Sequence, residues 1–367
     1  MTRARDLGIP FLGTPGKWNA ITDVTGVLVG HTTLNYGKGP LVRGVGPVRT
    51  GVTVVMPRSK TLEPVFAGWY SLNGNGEMTG TTWVEESGFL RGPIGITNTH
   101  SVGVVRDAIV EWILTACMDD PSLKQFFFHL PVVAETFDGT LNDVNGFHVE
   151  KEHVYEALEN ADDGKVEEGN VGGGTGMVCH RFKGGIGTAS RKLDESQGGY
   201  TVGVLVQANY GGREELTIAG VPVGREITDL MPEIHAIDIR YTGTSIIVVV
   251  ATNAPLLPHQ LKRIARRVPL GIARVGGHGH NSSGDIFIAF STANEGAYNS
   301  NGASNIRMVA NEQIDPLFDA TVQATEEAIL NALVSAKTMK GINDNQVYAL
   351  PHDRVRHILK KYNRLVE

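Results

Sequence analysis

A chain of 367 residues is long enough to bury a large core, as one big domain or two. Its aliphatic and charged fractions are those of an ordinary globular protein, and a net charge of −6 without any Lys/Arg block speaks against a nucleic-acid partner. No apolar run is long enough for a membrane-spanning helix, so no membrane partner is expected.

The opening Met1-Thr2-Arg3-Ala4-Arg5-Asp6-Leu7-Gly8 has no apolar core and is not a signal peptide. Cys117 and Cys179 stand far apart in apolar surroundings, which argues against a disulfide framework and for a reducing cytoplasm. The unusual figure is 45 glycines, spread along the chain, which predicts many tight turns and close backbone approaches.

In chain order, Gly26–His31 and Gly51–Pro57 are short apolar runs punctuated by Gly and Pro, and read as strands. Residues 68–92 form a Gly-rich stretch with Trp69, Tyr70, Trp83 and Phe89, suited to lining a pocket or to surface turns. Pro93–Thr99 reads as a strand entering a polar turn. Residues 102–118 then take helical period, with Val105, Ile109, Trp112 and Ala116 on one side.

Leu130–Phe137 is an apolar run interrupted by Glu135 and followed by the turn signal Asp138-Gly139. A buried carboxylate needs a partner, either an arginine of the protein or a cationic ligand. Residues 151–159 predict a short helix. The glycine run Gly169–Gly176 lacks the Gly-Lys-Ser/Thr ending of a phosphate loop, so a flexible loop or close backbone packing is expected rather than nucleotide binding.

Gly203–Gly212 predicts a strand ending at Asn209, whose amide either caps a turn or faces a reaction centre. Residues 213–244 are charged and weakly periodic, and read as a surface linker, the one candidate break in the chain. Tyr241-Thr242-Gly243-Thr244-Ser245 then runs into Ile246–Val250, a β-branched block that reads as a fully buried strand. A helix is predicted over Leu257, Leu261, Ile264 and Val268, with Lys262, Arg263, Arg266 and Arg267 opposite. His278 and His280 are spaced like metal ligands, but no third ligand is evident in the sequence, and no metal is expected. Asp285–Ser291 reads as a strand. Asp315-Pro316 starts a long helix with an Asp-type cap, ending at Gly341. The mixture predicts an α+β or layered fold.

No Gly-x-Ser-x-Gly elbow occurs. A hydroxyl can be activated in another way. A cut before Ser245 would give it a free α-amine of pKa about 7.7–8.0, a base on the nucleophile's own residue.

Four motifs carry a resemblance: Ala134–Gly139, Val206–Gly211, Ser245–Pro255 and Ser283–Thr292, with Arg5–Pro10 and Asn19–Val24 beside them. Together they resemble the DmpA/BapA family of L-aminopeptidase/D-amidase-esterases and β-peptidyl aminopeptidases over nearly the whole chain. The resemblance implies a four-layer αββα sandwich like that of N-terminal-nucleophile hydrolases with different connectivity. It implies one catalytic domain over 1–367, cleaving itself into chains 1–244 and 245–367 at the Thr244–Ser245 bond. It implies Ser245 as nucleophile, Ser283 and Asp285 as its partners, Asn209 as oxyanion support and Glu135 as the receiver of the substrate ammonium. Phe137 stands where relatives carry Tyr or Trp, and Asp285 where the family commonly has glutamate. The substrate would be a peptide or amino-acid amide or ester bearing a small L-, D-alanyl or β-amino acid, with no cofactor, in a homo-oligomer of cleaved chains. Thr244 leaves open an acyltransferase of the ornithine-acetyltransferase type, and a non-enzymatic oligomeric binding protein is the other alternative.

Overall fold

The computed structural model describes residues 2–116, 125, 127–235, 244–298 and 302–366. The apolar runs of the first part pair as a four-stranded sheet: β1 (Leu28–Tyr36), β2 (Val48–Lys60), β5 (Ile94–Asn98) and β6 (Val132–Thr136), in the order β1-β2-β5-β6. A six-stranded sheet has the order β4-β3-β12-β11-β10-β9. Its strands are β3 (Val65–Ser71), β4 (Phe89–Leu90), β9 (Gly185–Lys192), β10 (Thr201–Asn209), β11 (Thr244–Thr252) and β12 (Ser283–Ser291). A hairpin of β7 (Val178–Cys179) and β8 (Phe182–Lys183) lies outside both. The helices that matter here are α1 (Thr81–Ser87), α2 (Val102–Ala116), α3 (Lys151–Glu159), α4 (Val223–Glu226), α5 (Pro258–Ala265), α6 (Val268–Arg274) and α7 (Asp315–Ser335).

Strand alternation sorts the side chains into layers. Ile247, Val249 and Ala251 of β11, with Ile286, Ile288 and Phe290 of β12, meet Ile94, Ile96, Val132 and Ala134 of the smaller sheet. Their alternates Ile246, Val248, Val250, Phe287 and Ala289 pack against Leu261, Ile264, Ile272, Phe318 and Ala328 of α5, α6 and α7. On the far side, Val52, Val54 and Val133 meet Val105, Ile109 and Trp112 of α2 and Val154 and Ala157 of α3. The order is helix, sheet, sheet, helix, the predicted αββα sandwich. Because β11 is buried on both faces, its sequence is a continuous β-branched run rather than an alternating one.

Several expectations need correction. Residues 213–235 are not a surface linker: Leu216, Ile218, Val221, Val223 and Ile227 are buried in the helix-side core. The helix predicted over 257–268 is two, because Pro269 has no N–H to continue the first and starts the second instead. Its basic face is engaged: Lys262 pairs with Glu85, Arg263 and Arg267 lie over Phe318, and Arg266 lies over Tyr70. The long helix ends at Ser335, not Gly341. Both backbone groups of Lys337 bond the side-chain amide of Asn170, which draws the chain out of helical conformation. Asp315 lies within that helix's first turn, and its cap position is Ile314.

Of the two readings of Gly169–Gly176, close packing holds for its centre. A Cβ on Gly173 would lie 2.2 Å from Gln207 Oε1, and one on Gly174 would lie 2.4 Å from Ile186 N. The N–H groups of Gly172 and Gly173 donate to the Thr33 and Thr53 hydroxyls. Trp83 and Phe89 line a recess with Phe128 and Tyr298 that includes none of the predicted site residues. Cys179 is a buried free thiol. Cys117, Tyr241, Thr242 and Gly243 lie outside the described residues. No helix among the described residues is long and apolar enough to cross a membrane.

Candidate active site

Ser245 is the second residue of β11. The antiparallel register sets it opposite Asn209, the last residue of β10, and the parallel register sets it beside Gly284 of β12. Opposed residues of an antiparallel pair share a face, with Cβ atoms about 4.5–5.5 Å apart. Ser245 and Asn209 therefore both face the space between the sheets, and both are buried. The Gly284 N–H donates to Ser245 Oγ over 3.1 Å. Asn209 is oriented at both ends of its amide: Oδ1 accepts from Val178 N–H at 2.7 Å, and Nδ2 donates to the Phe137 carbonyl at 3.0 Å.

Ser283 and Asp285 occupy alternate positions of β12 from Gly284, so their side chains take the opposite face, that of Thr244 and Ile246. Ser283 Oγ donates to Asp285 Oδ1 at 2.6 Å, so the aspartate reaches its serine. Asn73 grips Asp285 twice: Nδ2 donates to Oδ2 at 2.9 Å, and Oδ1 accepts the Asp285 N–H at 2.6 Å. Burial raises the Asp285 pKa, while the Ser283 and Asn73 hydrogen bonds oppose the shift. The Ser245 main-chain nitrogen lies in the sheet between these two faces, with its own hydroxyl on one side and the Ser283–Asp285 pair on the other.

Glu135 sits in β6 of the other sheet and is 4% exposed. Its Oε1 accepts the Glu77 N–H at 3.1 Å, and its Oε2 accepts a hydrogen bond from the Thr99 hydroxyl. Burial raises its pKa, and these two hydrogen bonds counter the rise. The arginine partner offered by the structural reading is not there: among the described residues Glu135 makes no ion pair. Gly76 joins Glu135 to the β12 strand. A Cβ on Gly76 would lie 2.9 Å from Gly284 Cα and 3.4 Å from Glu135 Oε1, so only a glycine lets the loop pass between them. The Phe137 ring folds back on Gly139, where a Cβ would lie 2.3 Å from the ring, and its carbonyl is what reaches Asn209.

The fold thus gathers Ser245, Asn209 and the Phe137 carbonyl, sets Ser283–Asp285 on the reverse of the same strand ends, and brings Glu135 in through Gly76. Thr244 is beside Ser283, and its hydroxyl is buried without a hydrogen-bond partner among the described residues. Sequence reasoning missed Asn73 and Thr99. The doubled Asn-Gly of Asn73-Gly74-Asn75-Gly76 was the available signal for the first. It also missed Lys183, fully buried, with a pKa lowered by burial to about 7. Lys183 Nζ donates to the carbonyls of Met177 and Gly184 at 2.8 and 2.9 Å, and so holds the strap whose Val178 N–H orients Asn209. His278 and His280 do meet a third residue of ligand type, Glu215.

Residues 19–347 match the model of peptidase family S58. The chain is 53% identical to the β-peptidyl aminopeptidase BapA of Sphingosinicella microcystinivorans, over 99% of this chain and 93% of that protein. Its fold superposes on a β-aminopeptidase from a Burkholderia species with a TM-score of 0.88 at 50% identity, over 98% and 99% of the two chains. It superposes on the L-aminopeptidase D-Ala-esterase/amidase of Ochrobactrum anthropi, described as a variant of the Ntn-hydrolase fold, with a TM-score of 0.90 at 48% identity over the full length of both.

Proposed function

The chain belongs to peptidase family S58 and is an aminopeptidase, and from that premise we propose that it is a self-processing serine enzyme acting on N-terminal β-amino acids such as β-alanine and on small L- or D-alanyl residues. In the precursor, Ser245 Oγ attacks the Thr244 carbonyl. The Thr244–Ser245 C–N bond breaks as the C–O ester forms, which leaves the Ser245 nitrogen as a free amine, and water hydrolyses the ester to release the Thr244 carboxylate and restore the Ser245 hydroxyl. In the mature enzyme that amine takes the hydroxyl proton while Oγ attacks the substrate carbonyl. The amine then returns the proton to the departing amine, and water releases the acyl group.

The observation that carries this reading is the register of three adjacent strands, with Asn209 and Gly284 flanking Ser245. Asn209 Nδ2 is the oxyanion donor. The Ser245 nitrogen is where the two faces meet. The Ser283–Asp285 pair orients that amine after cleavage, and Asn73 holds Asp285 in place. Chains 1–244 and 245–367 remain one αββα domain, and cleaved copies assemble as a homo-oligomer in the cytoplasm. Membership in a peptidase family leaves the acyltransferase and non-enzymatic alternatives without support, and Ser245 rather than Thr244 shares a face with Asn209.

Glu135 gives the substrate class its physical basis. A buried carboxylate that has hydrogen bonds but no cation among the described residues is the complement of a free ammonium group. On matched chromogenic amides, β-alanyl and L-alanyl substrates are expected to turn over and N-acetyl-β-alanyl to be inert. Glu135→Gln should cost the free-amine substrates about 1.5–3 kcal/mol in kcat/KM, the worth of a hydrogen bond to a charged group. Equal cleavage of the acetylated amide, or no loss in the variant, would remove Glu135 from substrate binding.

A further inference from the structure

Outside the catalytic strands, one cluster combines two imidazoles and a carboxylate. His278 and His280 belong to the loop before β12. Glu215 belongs to the turn of Arg213–Glu215, which follows β10. His278 Nδ1 lies 3.6 Å and His280 Nε2 3.3 Å from the same oxygen, Glu215 Oε1. The three ligand atoms all lie within 4.8 Å of one another. A tetrahedral zinc with bonds of about 2.0–2.2 Å has ligand–ligand edges of about 3.3–3.6 Å, the two separations found here.

Each arm is anchored independently of any metal. Glu215 Oε2 accepts the Gly212 N–H at 2.7 Å, which turns Oε1 toward the histidines. The His280 carbonyl accepts the Ser283 N–H at 2.9 Å, tying that loop to β12. The two arms touch through backbone, since a Cβ on Gly276 would lie 1.8 Å from the Glu215 carbonyl oxygen. The histidine side chains are about three-fifths exposed, so an ion reaches the cluster from solvent and keeps a position for water.

We propose that Glu215, His278 and His280 form a Zn2+ site with water as the fourth ligand. The ion clamps the turn that follows Asn209 to the loop that precedes Ser283. Neither the site nor its test depends on the aminopeptidase mechanism, since none of the three side chains takes part in it.

The experiment is calorimetric titration of tag-free protein with ZnCl2, in parallel with His278→Ala, His280→Ala and Glu215→Gln, together with their thermal midpoints. The wild type should bind one equivalent and gain in thermal midpoint. Each variant should lose affinity by at least about 10-fold, since even the supporting residues of a metal site are worth that much, and should lose the thermal gain. Co2+ in place of Zn2+ should give the intense visible absorption of a tetrahedral ion in the wild type alone. Binding by the wild type no tighter than by His280→Ala, or an equal thermal gain in all four proteins, would overturn the site.

Discussion

Ser245→Ala is expected to yield one uncleaved chain of 367 residues without aminopeptidase activity. The same Oγ acts in both stages, so removing it stops the cut and leaves no nucleophile even if the cut were made by other means. The variant should fold. Ser245 lies near the start of a strand whose residues Ile246–Ala251 are completely buried, and among the described residues its hydroxyl accepts one hydrogen bond, from Gly284 N–H. Its loss should cost about 0.5–1.5 kcal/mol of stability, the net worth of one such bond. Gel electrophoresis and a thermal melt separate the outcomes: a cleaved Ser245→Ala chain, or an active one, moves the nucleophile elsewhere. Thr244 is the first place to look, its hydroxyl being buried on the Ser283 side of the strand.

Asn209→Ala is expected to lower kcat by about 10²–10³, the range for losing one oxyanion donor. Self-cleavage passes through the same kind of oxyanion, so its rate should fall by a similar factor. A merely structural asparagine would behave otherwise. Its loss leaves Val178 N–H and the Phe137 carbonyl without their partner, which costs about 1–3 kcal/mol for each buried group left unpaired and lowers the thermal midpoint. That effect alone would leave kcat of the folded, cleaved fraction near the wild-type value. Active-site titration before the rate measurement distinguishes the two.

Individual strands and helices were legible because their periodicities are strong, while the order of the four layers came with the family resemblance. The β-branched run at Ile246–Val250 admits little else than a doubly buried strand, and Val105, Ile109 and Trp112 mark a helix against a sheet. What escaped was decided by single backbone facts. Pro269 interrupts an apolar stripe that runs unbroken in spacing, and Asn170 unwinds the chain at Lys337 from far upstream. The segment 213–235 looks polar because its charged residues outnumber the few apolar ones that are buried. In the site, Ser245, Ser283, Asp285, Asn209 and Glu135 were legible through motifs, not through spacing, since they come from four strands of two sheets. Asn73, Thr99 and Lys183 act on those residues through side-chain and main-chain hydrogen bonds, and of the three Asn73 alone stands in a distinctive pattern, the doubled Asn-Gly. Glu215 was hidden because His278 and His280 announce a pair, but the third group comes from a different loop.

The central claim is that this protein makes its nucleophile by cutting its own chain. N-terminal sequencing of the purified wild-type protein tests it most directly. The account predicts two chains in equal amount, the smaller beginning Ser245-Ile246-Ile247-Val248. A fully active preparation made of a single intact chain, or a small chain that begins at Thr244, would contradict it.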